Sequence, residues 1–321
     1  DLRMSRGLGD VYKRQEYMIA PKFTVPIYVC INLFSSFLRN DSDPGLATKS
    51  VIAGGVFNIF GDYFCVFTLD MGIRGAGIAT AMGAGISTLV MLTHFFKKSN
   101  TLRLQFSKEI FRLFGRITVN GFSSFIIDVA MGVLTMLFNR QIMKYLGTDA
   151  LAVYGVIVSV STLVQCCSYG IGQASQPIIS QNYGAGNVGR IKKMLRYNII
   201  TAAIFGAVWA AITFAVPNGL IRLFMTPTAS VLAIAPAIIR IYGSSFLLLP
   251  FNVYSTYYFQ ATMRAKTSMF VSVARGILIS GALILIIPVT LGADMIWWAM
   301  PVTELVVAVF AGAMMAKKIQ L

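Results

Sequence analysis

The chain has 321 residues, of which 56% are hydrophobic and only 12% are charged. Soluble domains carry about 25% charged residues, so this chain lacks the polar side chains needed to cover the surface of a soluble globular protein. Its formal net charge of +15 is spread between apolar segments rather than gathered in one basic patch, which argues against a nucleic-acid partner. Composition therefore predicts an all-α integral membrane protein that spans a lipid bilayer.

The first 15 residues are polar and basic, and they show no periodic pattern. Residues 6–15 resemble the translation of a sequencing adaptor, so we expect residues 1–15 to be non-native. On this interpretation the native sequence begins near Glu16 and is an N-terminally truncated part of a longer protein.

From there, nine apolar segments are each long enough to cross a bilayer, which needs about 20 residues of helix. They cover residues 17–38, 50–69, 76–96, 117–145, 151–179, 197–216, 234–263, 270–290 and 295–316. Between the third and fourth spans, residues 97–116 place apolar side chains among six basic ones, a pattern typical of an amphipathic segment at the membrane surface. We expect this segment to be a cytoplasmic linker between residues 16–96 and 117–316, and residues 317–321 to form a cytoplasmic tail.

Prolines interrupt two of these spans. Pro177 lies near the end of the fifth span and Pro250 lies in the seventh. Because proline lacks an amide N–H, we expect each to kink or break its helix.

Lys and Arg residues are concentrated in the links on one side of the membrane. The links after the odd-numbered spans contain sixteen: Arg39, Lys49, Lys97, Lys98, Arg103, Lys108, Arg112, Arg116, Arg190, Lys192, Lys193, Arg196, Arg264, Lys266, Lys317 and Lys318. The links after the even-numbered spans contain four: Arg74, Arg140, Lys144 and Arg222. Since cytoplasmic links are enriched in Lys and Arg, we expect the first set and the C-terminus to be cytoplasmic.

Few charged residues lie inside the spans, where a charge is costly unless it faces a cavity or a partner. Asp128 lies about 11 residues into the fourth span, close to the bilayer midplane, and Glu304 lies at a similar depth in the ninth. Such carboxylates can bind a cation or a proton and exchange it for a cationic solute. The structural alternative is a buried carboxylate held by hydroxyls or amides. Arg240 and Arg275 lie nearer the span ends, from which their long side chains can reach the interface.

Polar residues give weaker signals at other positions. Asp62 lies in the second span with Asn58 one turn earlier on the same face, which predicts a second polar site. Uncharged residues that can line a pore, or instead join helices by hydrogen bonds, are Asn139, Gln165, Asn252, Tyr254 and Tyr257.

Enzyme motifs are absent from the sequence, which contains no Walker sequence, zinc-binding pattern or nucleophile elbow. The four cysteines lie in apolar runs without metal-ligand spacing. The single histidine, His94, lies at the end of the third span, where we expect a structural role. We therefore expect no enzymatic activity, no cofactor and no metal apart from a transported Na⁺ at Asp128.

The end of the fifth span and the turn after it carry a specific pattern. Gly170–Ser180 reads Gly-Ile-Gly-Gln-Ala-Ser-Gln-Pro-Ile-Ile-Ser, and Asn182–Ala185 reads Asn-Tyr-Gly-Ala. This pattern resembles the end of the eighth helix in the bacterial branch of the multidrug and toxic compound extrusion (MATE) family, and Gly72–Thr80 resembles the turn between the family's fifth and sixth helices. The resemblance covers the chain from Glu16 to its end. The motif residues are Gly172, Gln173, Gln176, Pro177, Asn182, Tyr183 and Gly184.

The resemblance implies that the nine spans are helices four to twelve of a twelve-helix fold, built as two six-helix lobes around a central cavity. It implies a secondary multidrug efflux antiporter of the bacterial plasma membrane that exchanges Na⁺ or H⁺ for small cationic amphipathic compounds by alternating access. Asp128 matches the acidic position of the seventh helix, where this branch usually has Glu, so its shorter side chain alters the geometry offered to a cation. We expect a monomer.

Two alternatives stay open. A lipid-linked oligosaccharide flippase of the same superfamily needs a more cationic cavity, and the spans contain few deeply placed Lys or Arg residues. A non-transporting membrane structural protein would not respond to an ion gradient.

Overall fold

The structure is a computed structural model that describes residues 24–98, 100–103 and 110–316, with the backbone alone at 110–112, 116, 119, 120, 123, 124 and 127. This part of the chain is helical and contains no strand, so the predicted all-α class is confirmed. The segment 1–15, the start of the first predicted span and the tail 317–321 lie outside it. The described residues form two compact units, one up to residue 103 and one from residue 110, and the division falls within the predicted linker.

Three helices form the described part of the first unit. Helix α1 covers residues 24–40, α2 covers Pro44–Tyr63 and continues as a π-helical turn at Phe64–Thr68, and α3 covers Gly72–Leu92 and ends in a 3₁₀ turn at Thr93–Phe96. Asp43 starts α2, because its carboxylate accepts a hydrogen bond from the amide of Leu46 at 3.3 Å and Pro44 supplies a φ suited to the first helical turn.

Glycines let α2 and α3 approach closely. A Cβ atom built at Gly83 would lie 2.7 Å from the carbonyl oxygen of Gly54, and one built at Gly54 would lie 1.9 Å from Oγ of Ser87. Small residues at helix contacts are typical of proteins in lipid, where close backbone packing replaces the hydrophobic effect as the force between helices.

Nine helices form the described part of the second unit. They are α4 (Ile110–Tyr145), α5 (Gly147–Gly184), α6 (Val188–Ala215), α7 (Pro217–Phe224), α8 (Ala229–Gly243), α9 (Leu249–Ala261), α10 (Ala265–Val273), α11 (Ile279–Thr290) and α12 (Ala299–Ala316). Helix α4 begins seven residues before the predicted span, so the end of the predicted linker belongs to this helix.

Two predicted spans are interrupted helices. A 3₁₀ turn at Ser244–Leu247 separates α8 from α9, and Pro250 occupies the first turn of α9, as expected for a residue that cannot donate to the preceding turn. A π-helical turn at Ala274–Leu278 separates α10 from α11. By contrast, α5 continues through Pro177 to Gly184, so this proline does not end its helix.

Length and exposure identify the membrane-spanning helices. Seven helical stretches of the described residues are long and apolar enough to cross a membrane: Pro44–Thr68, Gly72–Phe96, Gly147–Gly184, Val188–Ala215, Ala229–Ala261, Ala265–Thr290 and Ala293–Ala316. Helices α1 and α4 coincide with the other two predicted spans. Large apolar side chains such as Phe60, Phe67 and Met136 are at least 70% exposed, which suits contact with lipid rather than water. The chain is a multi-pass membrane protein.

Aromatic side chains fill the core of the second unit. Phe138 of α4 stacks on Tyr154 of α5, with ring centroids 4.9 Å apart, and Tyr242 of α8 meets both rings edge-on. Trp297 packs against Tyr154 from the 3₁₀ turn before α12. This cluster holds α4, α5 and α8 around the cavity described next.

Candidate functional site

Asp128 lies on α4 with an exposed side chain. The hydroxyl of Tyr169 on α5 donates to its Oδ1 at 3.2 Å, and Nε2 of Gln165 donates to that hydroxyl at 2.7 Å. The carboxylate is therefore oriented from one side and accessible from the other, an arrangement that suits reversible binding of a proton or a small cation.

Glu304 has the opposite environment. It is fully buried on α12, where its Oε1 lies 2.8 Å from Nε of Arg275 and its Oε2 accepts a hydrogen bond from Nδ2 of Asn252 at 2.6 Å. The prediction that Arg275 reaches the interface is wrong. The stretch Ala265–Thr290 begins before the predicted eighth span, so Arg275 lies well inside it and pairs with Glu304 instead of water.

Among the described residues of this unit, Oδ1 of Asn252 is buried without a hydrogen-bond partner. Such groups are rare in folded proteins and often mark a place for water, an ion or a ligand. Asn252 is fully buried beside Glu304, and Ser161 lines the cavity.

A cavity of about 60 Å³ lies inside the second unit. Its polar lining residues are Thr135, Tyr154, Ser161, Gln165, Tyr242, Ser245, Ser272 and Arg275, and its apolar ones include Met131, Leu134, Phe138 and Met300. Pockets for drug-sized ligands measure roughly 300–1,000 Å³, so this space holds water or one substituent of a ligand. Gln165 and Arg275 both line it, so the Asp128 and Glu304 networks reach the same cavity.

Of the remaining predicted site residues in this unit, Tyr257 lies beside the Asp128 network, whereas Tyr254 and Asn139 do not. Tyr257 meets the ring of Tyr169 edge-on at 6.3 Å, which places it beside the Asp128 network. Tyr254 is buried in a separate core cluster and accepts a hydrogen bond from Asn198 at 3.4 Å. Asn139 is exposed and does not line the cavity.

Two members of the site were not predicted as such from the sequence: Tyr169 was not named, and Arg275 was assigned to the interface. Tyr169 follows Gln165 by four residues on one helix, and this spacing was a usable signal that the two side chains meet. Arg275 could have been found by extending the eighth span towards Ala265, which would have placed the arginine deep in the membrane.

Two of the family-motif residues on α5, Gly172 and Gln176, contact α9. Gly172 lies against the ring of Tyr257, so a Cβ atom there would come within 2.3 Å of it. Nε2 of Gln176 donates to Oε1 of Gln260 on α9 at 3.4 Å, and Nδ2 of Asn182 donates to the carbonyl of Ile178. The remaining motif residues are Gln173, Pro177, Tyr183 and Gly184, at the same end of α5.

The predicted polar site of the first unit lies between α2 and α3. Nδ2 of Asn58 donates to Oγ1 of Thr80 at 3.3 Å, while Oδ1 of Asp62 is buried without a partner. The carboxylate therefore keeps unused hydrogen-bonding capacity.

A second charged cluster of the first unit surrounds His94, which is fully buried. Its Nε2 lies 2.6 Å from Oδ2 of Asp41 and its Nδ1 lies 3.1 Å from Oδ2 of Asp43. Hydrogen bonds from His94 and then from Thr101 lower the pKa of Asp41 to about 2. The ammonium of Lys97, 2.6 Å from Asp43, is the main cause of a lowered pKa there.

Within the described ranges, no group of three or more His, Cys, Asp or Glu side chains is arranged to hold a metal ion.

Comparison with known proteins gives three concordant results. The chain matches the MatE family model over residues 122–286. It is 23% identical over 297 residues to the multidrug export protein MepA of Staphylococcus saprophyticus, and 23% identical over 298 residues to that of Staphylococcus haemolyticus. Both alignments cover 92% of this chain and 65% of the relative, so the chain spans slightly less than two thirds of these curated relatives.

Solved structures share the fold. The TM-score is 0.83 with a crystal structure of MATE in complex with MaL6, at 22% identity. It is 0.84 with the outward-facing conformation of a multidrug resistance MATE family transporter of the MOP superfamily, at 20% identity. Each similarity covers 93% of this chain and 68% of the other. Since the family model matches just over half of its residues, the chain belongs to the MatE family.

Proposed function

We propose that this chain is part of a secondary multidrug efflux transporter that exchanges Na⁺ or H⁺ for small cationic amphipathic compounds by alternating access. The observation that carries the proposal is the placement of two carboxylates, Asp128 and Glu304, whose hydrogen-bond networks border one cavity. Membership of the MatE family and the multidrug export function named for its relatives support it.

Asp128 is the group proposed to bind the coupling ion. Its exposed carboxylate is reachable by a proton or by Na⁺, and Tyr169 keeps it oriented when the ion leaves. A cationic compound competes for the same negative charge, so occupancy by the ion favours release of the compound. The aromatic side chains nearby, including Tyr257, offer faces to an organic cation.

The alternative functions receive less support. A flippase for lipid-linked phosphates needs free positive charge, and the only cation among the described lining residues, Arg275, is paired with Glu304. A purely structural role does not explain an exposed intramembrane carboxylate, which is costly without a function. The relatives' names indicate a transporter, and we propose that the chain is not an enzyme.

The distribution of charged residues between the spans also bears on the orientation of the chain in the membrane. The Lys and Arg distribution supports a cytoplasmic C-terminus in a bacterial plasma membrane. We propose that the transporter acts as a monomer and requires no cofactor beyond its coupling ion.

Substitution of Asp128 by Asn tests the proposal. In liposomes containing the full protein, efflux of ethidium driven by a Na⁺ or a pH gradient, each imposed separately, is expected to fall to the level of protein-free liposomes. Asn keeps the size and the hydrogen bond with Tyr169 but removes the charge. Asp294→Asn, at an exposed position in the turn before α12, is the matched control and should transport normally. Full transport by Asp128→Asn would remove this residue from the mechanism.

A further inference from the structure

Arg275 is placed in the cavity wall by its backbone. It lies in the π-helical turn Ala274–Leu278, a conformation that often occurs at functional positions in helices. The next residue, Gly276, packs against Ala130 of α4 so closely that a Cβ atom would lie 2.4 Å from that side chain. This contact packs the π-helical turn that carries Arg275 directly against α4.

Glu304 is the fixed member of the ion pair. Nδ2 of Asn252 donates to Oε2 of Glu304 at 2.6 Å and to the backbone carbonyl of Glu304 at 2.8 Å. One amide group therefore binds both the side chain and the backbone of Glu304. Arg275 has a long, flexible stem, is 12% exposed and already lines the cavity. If the pair separates, the arginine is the partner that moves.

The charged and titratable groups around the pair are few. Arg275 pairs with Glu304, Tyr242 of α8 lies within electrostatic range of it, and α9 contributes the neutral amide of Asn252. On the other side of Arg275, Tyr169 of α5 lies within electrostatic range, and the hydroxyl of Tyr169 donates to Asp128 of α4. Among these described groups, Glu304 makes the direct ion pair with Arg275.

Loss of the carboxylate's charge leaves a guanidinium unpaired, which is strongly unfavourable in a buried setting. The cavity is the adjacent space with polar walls, which include Gln165 and Ser161. The guanidinium therefore turns into the cavity, where it raises the positive potential around Asp128.

We propose that Arg275 is a coupling and specificity-determining residue, whose positive charge Glu304 masks until a proton or Na⁺ neutralises the carboxylate. Once released, the guanidinium repels a cationic compound from the cavity and from Asp128. The inference rests on the proposed antiport, and it assigns to Glu304 an indirect role, since Glu304 acts on the compound through Arg275 rather than by contact.

A double-substitution experiment distinguishes an indirect role of Glu304, through Arg275, from direct contact between Glu304 and the compound. Binding of ethidium to the detergent-purified full protein is measured for Glu304→Gln, Arg275→Gln and the double variant. Glu304→Gln, which mimics the neutral carboxyl, is expected to weaken binding about tenfold. The double variant has no charge to release, so its affinity is expected to return to within about threefold of the wild type.

Two results of this experiment overturn the inference. If Glu304 contacts the compound itself, the double variant will bind as weakly as Glu304→Gln. If Glu304→Gln binds as well as the wild type, then masking has no effect on the compound. Arg240→Gln is the matched arginine control, because Arg240 is exposed and its Nε donates to the carbonyl of Phe214, away from the cavity.

Chemical labelling of Arg275 provides a second measurement that does not depend on the binding of ethidium. Phenylglyoxal modifies accessible guanidinium groups, and its reaction at Arg275, followed by mass spectrometry, is expected to rise about threefold or more in Glu304→Gln. Unchanged labelling overturns the inference even where ethidium binds. If the wild type binds no ethidium but labelling rises as expected, the proposed function fails while the masking of Arg275 stands. The melting temperature of each variant shows that it is folded.

Discussion

Asp128 and Glu304 lie at similar depths in their predicted spans but have different surroundings in the fold. Both are carboxylates deep in apolar spans, and depth alone predicts the same role for both. In the structure Asp128 is exposed with one hydroxyl donor, whereas Glu304 is enclosed by a guanidinium and an amide. The first carboxylate is accessible, while the second is a buried charge that its partners stabilise.

The hydrogen bonds between His94 and the carboxylates of Asp41 and Asp43 lead to a prediction about stability in acid. Because the pKa of Asp41 is lowered from 3.8 to about 2 in the folded protein, its ionised form stabilises the fold above about pH 4, and this contribution is lost as the pH falls towards about 2. Asp41→Asn is therefore expected to lower the melting temperature at neutral pH. The difference from the wild type should shrink between about pH 4 and about pH 2, as followed by thermal unfolding in detergent.

The control for this prediction is Asp294→Asn, which removes an exposed carboxylate of the second unit. Its melting temperature should follow that of the wild type at every pH. A difference for Asp41→Asn that stays constant down to pH 2 would show that the carboxylate's charge does not stabilise the folded state.

At the scale of helices, the positions of glycine decide which faces can meet. Gly83 and Gly85 lie two residues apart on α3, but a Cβ atom at Gly83 would meet the backbone of Gly54 at 2.7 Å, whereas one at Gly85 would meet nothing within 4 Å. A carbonyl oxygen in a helix cannot move aside as a side chain can. The contact between α2 and α3 therefore depends on Gly83.

Gly83→Ala is expected to destabilise the protein by about 1–3 kcal/mol, because the added methyl group forces the two helices apart. Gly85→Ala is the matched control and should be neutral, or stabilising by up to about 1 kcal/mol through helix propensity. Thermal unfolding of both variants in detergent measures the difference. Equal melting temperatures would show that α2 and α3 do not pack through these glycines.

At the scale of the whole molecule, the orientation in the membrane stays a prediction from the links. Asn187 lies between α5 and α6 and Thr226 between α7 and α8, and both are exposed. In a variant without native cysteines, a membrane-impermeant maleimide should label Asn187→Cys only in inside-out vesicles and Thr226→Cys only in intact cells. The reverse pattern would invert the topology, and labelling of both from one side would contradict the link assignment.

Hydrophobic length and the α5 motif were sufficient to predict the class and the family. A bilayer requires apolar helices of a minimum length, and the residues around Gln176 and Pro177 are specific in combination, so both signals are local in the sequence. The two helix breaks, near Pro250 and at Ala274–Leu278, differ in how well the sequence predicts them. The first is predicted by proline, which lacks a backbone N–H, whereas no residue type predicts a π-helical turn.

Composition, span length and the α5 motif are enough to predict a helical membrane protein of the MatE type with two deeply placed carboxylates, Asp128 and Glu304. The partners of these carboxylates become known only from the folded chain. Arg275 reaches Glu304 from a different helix, and Tyr169 reaches Asp128 across the contact of α5 with α4. Side-chain pairing between helices depends on rotation, on helix breaks and on close approach at glycine, and none of these has a local signature strong enough to be read along the chain.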